Sequence, residues 1–133
     1  LNLLPDGVLA DRVIATSLTD IPPSFFSDLG ENDVLFFDGS HLCFHGSDVP
    51  YFFLRVLPVL KEKVIVHVHD IFLPDEYPER CDRLHLNEQY ILGAFLFSNP
   101  SWETLVPVQF CYRRGMLQEG TSFWMRRIGR TDS

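Results

Sequence analysis

Two runs of this chain leave little choice of fold. Asp33-Val-Leu-Phe-Phe-Asp38 and Val64-Ile-Val-His-Val-His69 are almost continuously apolar or β-branched, and they end at the carboxylates Asp38 and Asp70. A run without polar alternation suits a strand buried on both faces, as in a parallel sheet. Between the two runs, Ser47-Asp48-Val49-Pro50 starts a helix with cap residues and a first-turn proline. Tyr51 to Leu57 continues that helix, and Pro58 ends or kinks it. Strand, helix and strand in this order predict an α/β sheet.

The flanking segments extend the pattern. Arg12-Val-Ile-Ala-Thr16 is short and β-branched, which predicts a strand. Pro22-Pro23 breaks the chain, and Ser24 to Leu29 forms one or two helical turns before Gly30. Residues 71–83 form a loop with two prolines. From about Leu84 to Phe97, the residues Leu86, Tyr90, Ile91, Ala94, Phe95 and Phe97 follow a helical period. Trp102–Tyr112 and Thr121–Arg127 read as two extended segments joined as an antiparallel hairpin, with Pro107 placing the first at a sheet edge. The expected architecture is a mostly parallel sheet with an antiparallel tail.

Composition narrows the function classes. The 133 residues are enough for one domain with a core. Their net charge of −7 argues against nucleic-acid binding through a basic face. The first 50 residues hold eight acids and only Arg12 as a base. No apolar stretch approaches the roughly 20 residues that span a bilayer, and the start LNLLPDG lacks a signal-peptide pattern. The three cysteines, Cys43, Cys81 and Cys111, are odd in number and widely spaced, which points to a reducing, cytoplasmic setting. The glycines never form a G-x-G, and there is neither zinc-finger spacing nor a G-x-S-x-G elbow.

Ligands in α/β sheets bind beyond the carboxyl ends of the strands, so Asp38 to His41 and His69 to Phe72 are the residues of interest. In Asp38-Gly39-Ser40-His41, the Asp can bind a metal or a hydroxyl and the His can act as a general base. Alternatively, Asp38 caps the turn and His41 is solvated. In His67-Val68-His69-Asp70, strand alternation sends both imidazoles to one face and Asp70 to the other. His69 and Asp70, with Asp38, form a plausible divalent-metal set. His67 reads as a hydrogen-bonded core histidine. The loop Phe72-Leu-Pro-Asp-Glu-Tyr-Pro78 is either a lid over the site or a plain connector.

The ordered blocks Asp33-Val-Leu-Phe-Phe-Asp-Gly-Ser-His41, Gly46-Ser-Asp-Val49, Val56-Leu-Pro-Val-Leu60, Val66-His-Val-His-Asp-Ile-Phe-Leu-Pro74, Glu76-Tyr-Pro78 and Asn87-Glu-Gln-Tyr90 carry a resemblance. They resemble the class I S-adenosylmethionine (SAM)-dependent methyltransferases, in particular a small bacterial group with D-G-S-H and H-x-H-D-I-F-L-P strand ends. The resemblance runs from about residue 12 to the end. It implies a Rossmann-like sheet in the order 3-2-1-4-5-7-6 with strand 7 antiparallel, of which this chain would supply strands 3 to 7 as a single partial domain. Strands 1 and 2, with the glycine-rich cofactor turn and the ribose-binding acid, have no counterpart. The opening residues would be the helix before strand 3.

The resemblance also implies roles. Asp20, after strand 3, corresponds to an adenine contact. Asp38, Ser40 and His41 line the SAM and acceptor site, and His69 and Asp70 take the post-strand-5 position. His41 or His69 would be the base, oriented by Asp38 and Asp70. In metal-dependent relatives the strand-4 and strand-5 acids bind magnesium. Here the set Asp38, His69 and Asp70 has His69 in place of one acid, which suits a softer metal or none. The methyl acceptor would be a small molecule or a glycan.

Two other classes compete. A metal-dependent hydrolase would use His67, His69 and Asp70, although the chain is short for a (β/α)₈ barrel and Ile71 stands where another zinc pattern needs Asp. A non-catalytic remnant or interaction module would expose strand edges and an apolar face, and would dock or form a homodimer.

Overall fold

A computed structural model of the protein describes residues 10–129. Its centre is a four-stranded sheet of β1 (Val34–Phe37), β2 (Ile65–Val68), β3 (Trp102–Pro107) and β4 (Phe123–Arg127), in the spatial order β1-β2-β4-β3. β1 pairs with β2 in parallel, with Phe37 opposite Val68. β4 is antiparallel to both β2 and β3. The sheet is therefore mixed, not mostly parallel, because the reversed strand sits inside it and contributes two of the ladders. β3 is an edge as Pro107 required, and a bulge between Thr104 and Val106 shifts its register.

The expected strand Arg12–Thr16 does not form. Residues 11–17 are irregular and exposed, with Val13 61% and Ile14 40% accessible. β-branched residues favour a strand only where a ladder partner exists, and β1 is left as the second edge. The helix expected at the opening lies outside the described residues. Pro23–Asp28 forms the anticipated short helix, as a 3₁₀ turn.

The β1–β2 crossover begins as helix α1 (Asp48–Tyr51), widens to a π turn over Phe52–Val56 and tightens to 3₁₀ over Leu57–Val59. Pro58 explains the change, because its ring cannot sit against the preceding turn of a regular helix and it has no N–H to donate. Helix α2 (Glu88–Phe97) follows the 71–83 loop. A third helix, α3 (Val108–Arg113), replaces the extended backbone expected there. Pro107 is its N-cap residue, so the proline that ends the edge strand also opens the helix.

The helices cover one face of the sheet. Phe37, Val66, Val68, Phe123 and Met125 pack there against Val49, Phe52, Val56, Leu57 and Leu92. A row of rings crosses this layer. Phe37 stacks on Phe52 at 3.9 Å, Phe53 meets Phe95 edge-on at 5.8 Å, and Phe95 meets Trp102 at 5.7 Å. The buried stripe of α2 is Glu88, Gln89 and Leu92, flanked by Ile91, Phe95 and Leu96. Tyr90 and Phe97, both counted in the helical period, are 50% and 95% exposed. The opposite sheet face stays open at Val34 and Phe36, which are 51% and 57% exposed. No helix of the described residues is long and apolar enough to cross a membrane.

Candidate functional site

The carboxyl ends of β1 and β2 lie side by side because the two strands are parallel and in register. Beyond β1 the backbone turns through Asp38-Gly39-Ser40-His41. A Cβ on Gly39 would lie 2.5 Å from Asp48 Oδ2 and 2.7 Å from the Phe37 ring, so glycine is needed for close approach. Ser40 faces away from the strand end: its N–H and hydroxyl both donate to the Asp48 carboxylate. His41 has a φ of +58°, a left-handed conformation that turns its ring inward.

Beyond β2, Asp70 also has a positive φ, +53°. Strand alternation predicts that Asp70 points away from His69. The left-handed residue breaks the alternation, and Asp70 Oδ1 lies 3.3 Å from His69 Nδ1. Thr121 anchors the same carboxylate with a hydroxyl hydrogen bond of 2.8 Å to Oδ1.

The two turns meet in a cluster. His41 Nε2 is 3.3 Å from Asp38 Oδ1 and 3.7 Å from Asp70 Oδ2, and His69 Nδ1 is 3.6 Å from Asp38 Oδ1. On its other side, His41 Nδ1 donates to Glu88 Oε2 at 2.7 Å. The Glu88 side chain is fully buried, and that of His41 is 15% exposed. Glu88 raises the His41 pKa, chiefly through the hydrogen bond, with further help from Asp70 and Asp38 and against the cost of burial. Burial pushes Glu88 up from the usual carboxylate range, and His41 opposes that shift. The imidazolium form of His41 thus has carboxylates at both nitrogens.

Among the site residues expected from sequence, Asp38, His41, His69 and Asp70 come together. Ser40 serves the α1 terminus instead. Asp20 sits in an exposed 3₁₀ turn, takes a 3.5 Å hydrogen bond from Thr16, and has no hydrogen bond or ion pair to the cluster among the described residues. His67 is buried and stacks on Phe36 at 4.1 Å and edge-on to Trp124 at 4.6 Å. It is buried, but on the sheet face away from the helices and not hydrogen-bonded under one as expected: its Nδ1 has no partner, and burial lowers its pKa.

The residues that hold the site together come from Asn87-Glu-Gln-Tyr90, to which the sequence assigned no role. Asn87 donates its N–H to His41 O and accepts from Cys43 N–H through Oδ1. Glu88 holds His41. Gln89 accepts from Phe72 N–H at 3.0 Å and donates to Asp75 O at 3.1 Å, while its own N–H donates to Tyr77 Oη. Tyr90 donates to Glu76 Oε2 at 2.6 Å. One helix start therefore secures the loops after both strands. The available signal was an acid on a buried stripe: Glu88 lies four positions before Leu92, and both are fully buried.

Among the described residues, no group of three or more His, Cys, Asp and Glu side chains is arranged to hold a metal ion. No family model, curated protein or solved structure matches the chain.

Proposed function

We propose that this chain is the acceptor-side part of a class I SAM-dependent methyltransferase domain. The observation that carries the proposal is the strand order β1-β2-β4-β3 with β4 reversed, with its histidine–carboxylate cluster at the carboxyl ends of β1 and β2. The same order and reversal characterise strands 4, 5, 7 and 6 of that fold. Two of the sequence blocks that resemble the family, 33–41 and 66–74, run through the carboxyl ends of β1 and β2. A Rossmann-like parentage also accounts for the open face at Val34 and Phe36, where a complete domain carries a second helical layer.

SAM supplies an electrophilic methyl on a sulfonium. Only part of its site is in this sequence, because no glycine-rich turn occurs in the 133 residues. By the resemblance, Asp38 and His41 would line the cofactor, and the groups for its methionine and ribose have no counterpart in these 133 residues. What these residues support is proton handling and alignment at the acceptor. Asp70, tied to Thr121, orients an acceptor hydroxyl. His69, the more exposed imidazole at 37% against 15%, takes the proton. His41, held by Glu88 at Nδ1, faces Asp38 and Asp70 with Nε2 and keeps their carboxylates in place.

The test uses this chain alone and with the residues encoded before Leu1. Titration calorimetry with SAM and transfer of a labelled methyl group are measured for each. The extended chain should bind SAM and turn over, and Asp70→Ala in it should lower turnover by at least 100-fold with SAM binding intact. Absence of SAM binding by both forms overturns the proposal.

The open face favours a second function, that of a docking module. Phe36 stacks on His67 from the solvent side. Concentration-dependent self-association that Phe36→Lys removes, seen by light scattering in a chain without SAM affinity in either form, would favour it.

A further inference from the structure

Methyl transfer leaves the acceptor unspecified, and a cavity at Asp70 narrows the choice. Its volume is about 260 Å³, and it is lined by Asp70, Phe72, Arg80, Cys81, Leu84 and Leu86. An apolar cavity of roughly 150 Å³ already accommodates a benzene ring, so this one takes a single ring with its substituents.

The lining sorts the chemistry. Phe72 and Cys81 are buried, at 6% and 8% exposure, and make the apolar interior. Leu84 is exposed and Leu86 half-buried. None of the six lining residues carries a hydroxyl or an amide side chain. A sugar ring would bury several hydroxyls here without partners, at a cost of about 1–3 kcal/mol each. An aromatic ring has no such cost. Two charged groups remain. Arg80 lies over the Phe72 ring, its guanidinium carbon 5.6 Å from the centroid, and has no ion pair among the described residues. Asp70 joins the cavity to the cluster, with Oδ2 3.7 Å from His41 Nε2 and Oδ1 3.3 Å from His69 Nδ1.

We propose that the cavity binds a single-ring phenol bearing an anionic substituent, with its hydroxyl at Asp70 and its anion at Arg80. The assignment rests on the methyltransferase proposal for the reaction, though not for binding. In that reaction the phenol oxygen bonds to the methyl carbon as the carbon–sulfur bond of the sulfonium donor breaks. The electron pair of that bond stays on sulfur as a neutral thioether. The phenolic proton leaves through the Asp70 carboxylate to His69.

The experiment titrates the ¹⁵N-labelled chain with 4-hydroxybenzoate, with phenol and with methyl glucoside, and follows backbone amide signals. 4-Hydroxybenzoate should move the signals of Phe72, Cys81, Leu84 and Leu86. Arg80→Ala should weaken it at least 10-fold and leave phenol affinity within 2-fold. Leu84→Glu, which places a negative charge at an exposed cavity residue, should weaken 4-hydroxybenzoate more than it weakens phenol. Equal affinity of wild type and Arg80→Ala for 4-hydroxybenzoate overturns the assignment, as does methyl glucoside moving these signals when 4-hydroxybenzoate does not. The reaction is read separately, in the chain with its preceding residues and SAM. Binding of 4-hydroxybenzoate at these signals without methyl transfer to any acceptor upholds the cavity assignment and counts against the methyltransferase. Methylation of a sugar without 4-hydroxybenzoate binding does the reverse.

Discussion

The carboxylate of Glu88 accepts a 2.7 Å hydrogen bond from His41 Nδ1 across 47 positions of sequence, and the Glu88 side chain has no exposed surface. Its second oxygen, Oε1, has no hydrogen-bond partner. A buried carboxylate in this position is stabilised mainly by the charge on its partner, so the pair behaves as a unit. It fixes the direction of the ring that faces Asp38 and Asp70.

Glu88→Gln should therefore lower the His41 pKa, because the hydrogen bond and charge that raise it are lost while burial continues to lower it. The amide still accepts a hydrogen bond, so the expected destabilisation is about 1–3 kcal/mol. An NMR titration of the histidine ring protons measures the first quantity and urea unfolding the second. A His41 titration unmoved by the substitution would show that Glu88 does not control it.

Two histidines set opposite pH slopes on stability. The raised pKa of His41 means that the folded chain binds more protons than the unfolded chain above the ordinary value of 6.5. Its contribution is complete below 6.5 and is lost as pH rises through the raised value. The lowered pKa of His67 acts the other way: its contribution is present above 6.5 and is lost as pH falls through the lowered value. His67 thus makes stability rise with pH below 6.5 and His41 makes it fall above 6.5, while the raised pKa of Glu88 adds a fall as pH climbs above 4.5. Unfolding curves at half-unit pH steps should show these slopes, and Glu88→Gln should flatten the alkaline side.

His67→Phe should change stability by no more than about 1 kcal/mol, and in the stabilising direction if the ring fits. The substitution removes a buried nitrogen without a partner and keeps an aromatic ring between Phe36 and Trp124. It should also remove the rise of stability with pH below 6.5. A loss of several kcal/mol would show that His67 makes an essential polar contact.

Gln89→Ala leaves Phe72 N–H and Asp75 O without their partner. The expected cost is about 1–3 kcal/mol, concentrated in the 72–78 loop and not spread over the sheet. Amide hydrogen exchange should quicken at Phe72 and Asp75 while β2 and β4 keep their protection. Uniform quickening would mean that the loop and the sheet open together.

β1, β2 and the start of α1 were legible in the chain because each rests on a local cause: uninterrupted β-branched or apolar runs, and cap residues before a proline. The edge position of β3 was legible from Pro107, whose missing N–H acts wherever the fold places it. Arg12–Thr16 shows the limit of such signals. Its residues suit a strand, but a strand requires a neighbour to hydrogen-bond, and this segment pairs with none of the described residues, not even the open edge of β1. The helix at Val108–Arg113 was hidden because its residues favour either state and the turn at Pro107 settles which one forms.

The site divides in the same way. Asp38, His41, His69 and Asp70 were readable as chemistry at strand ends, since parallel strands bring those ends together. Their actual contacts were not, because left-handed backbone at His41 and Asp70 cancels the alternation on which sequence reasoning depends. Glu88 was the least visible of all. In sequence it is a first-turn acid of a helix, an ordinary place for a carboxylate. Only the packing of α2 against the loops after β1 and β2 removes it from water, and a buried carboxylate needs a partner that local sequence does not contain.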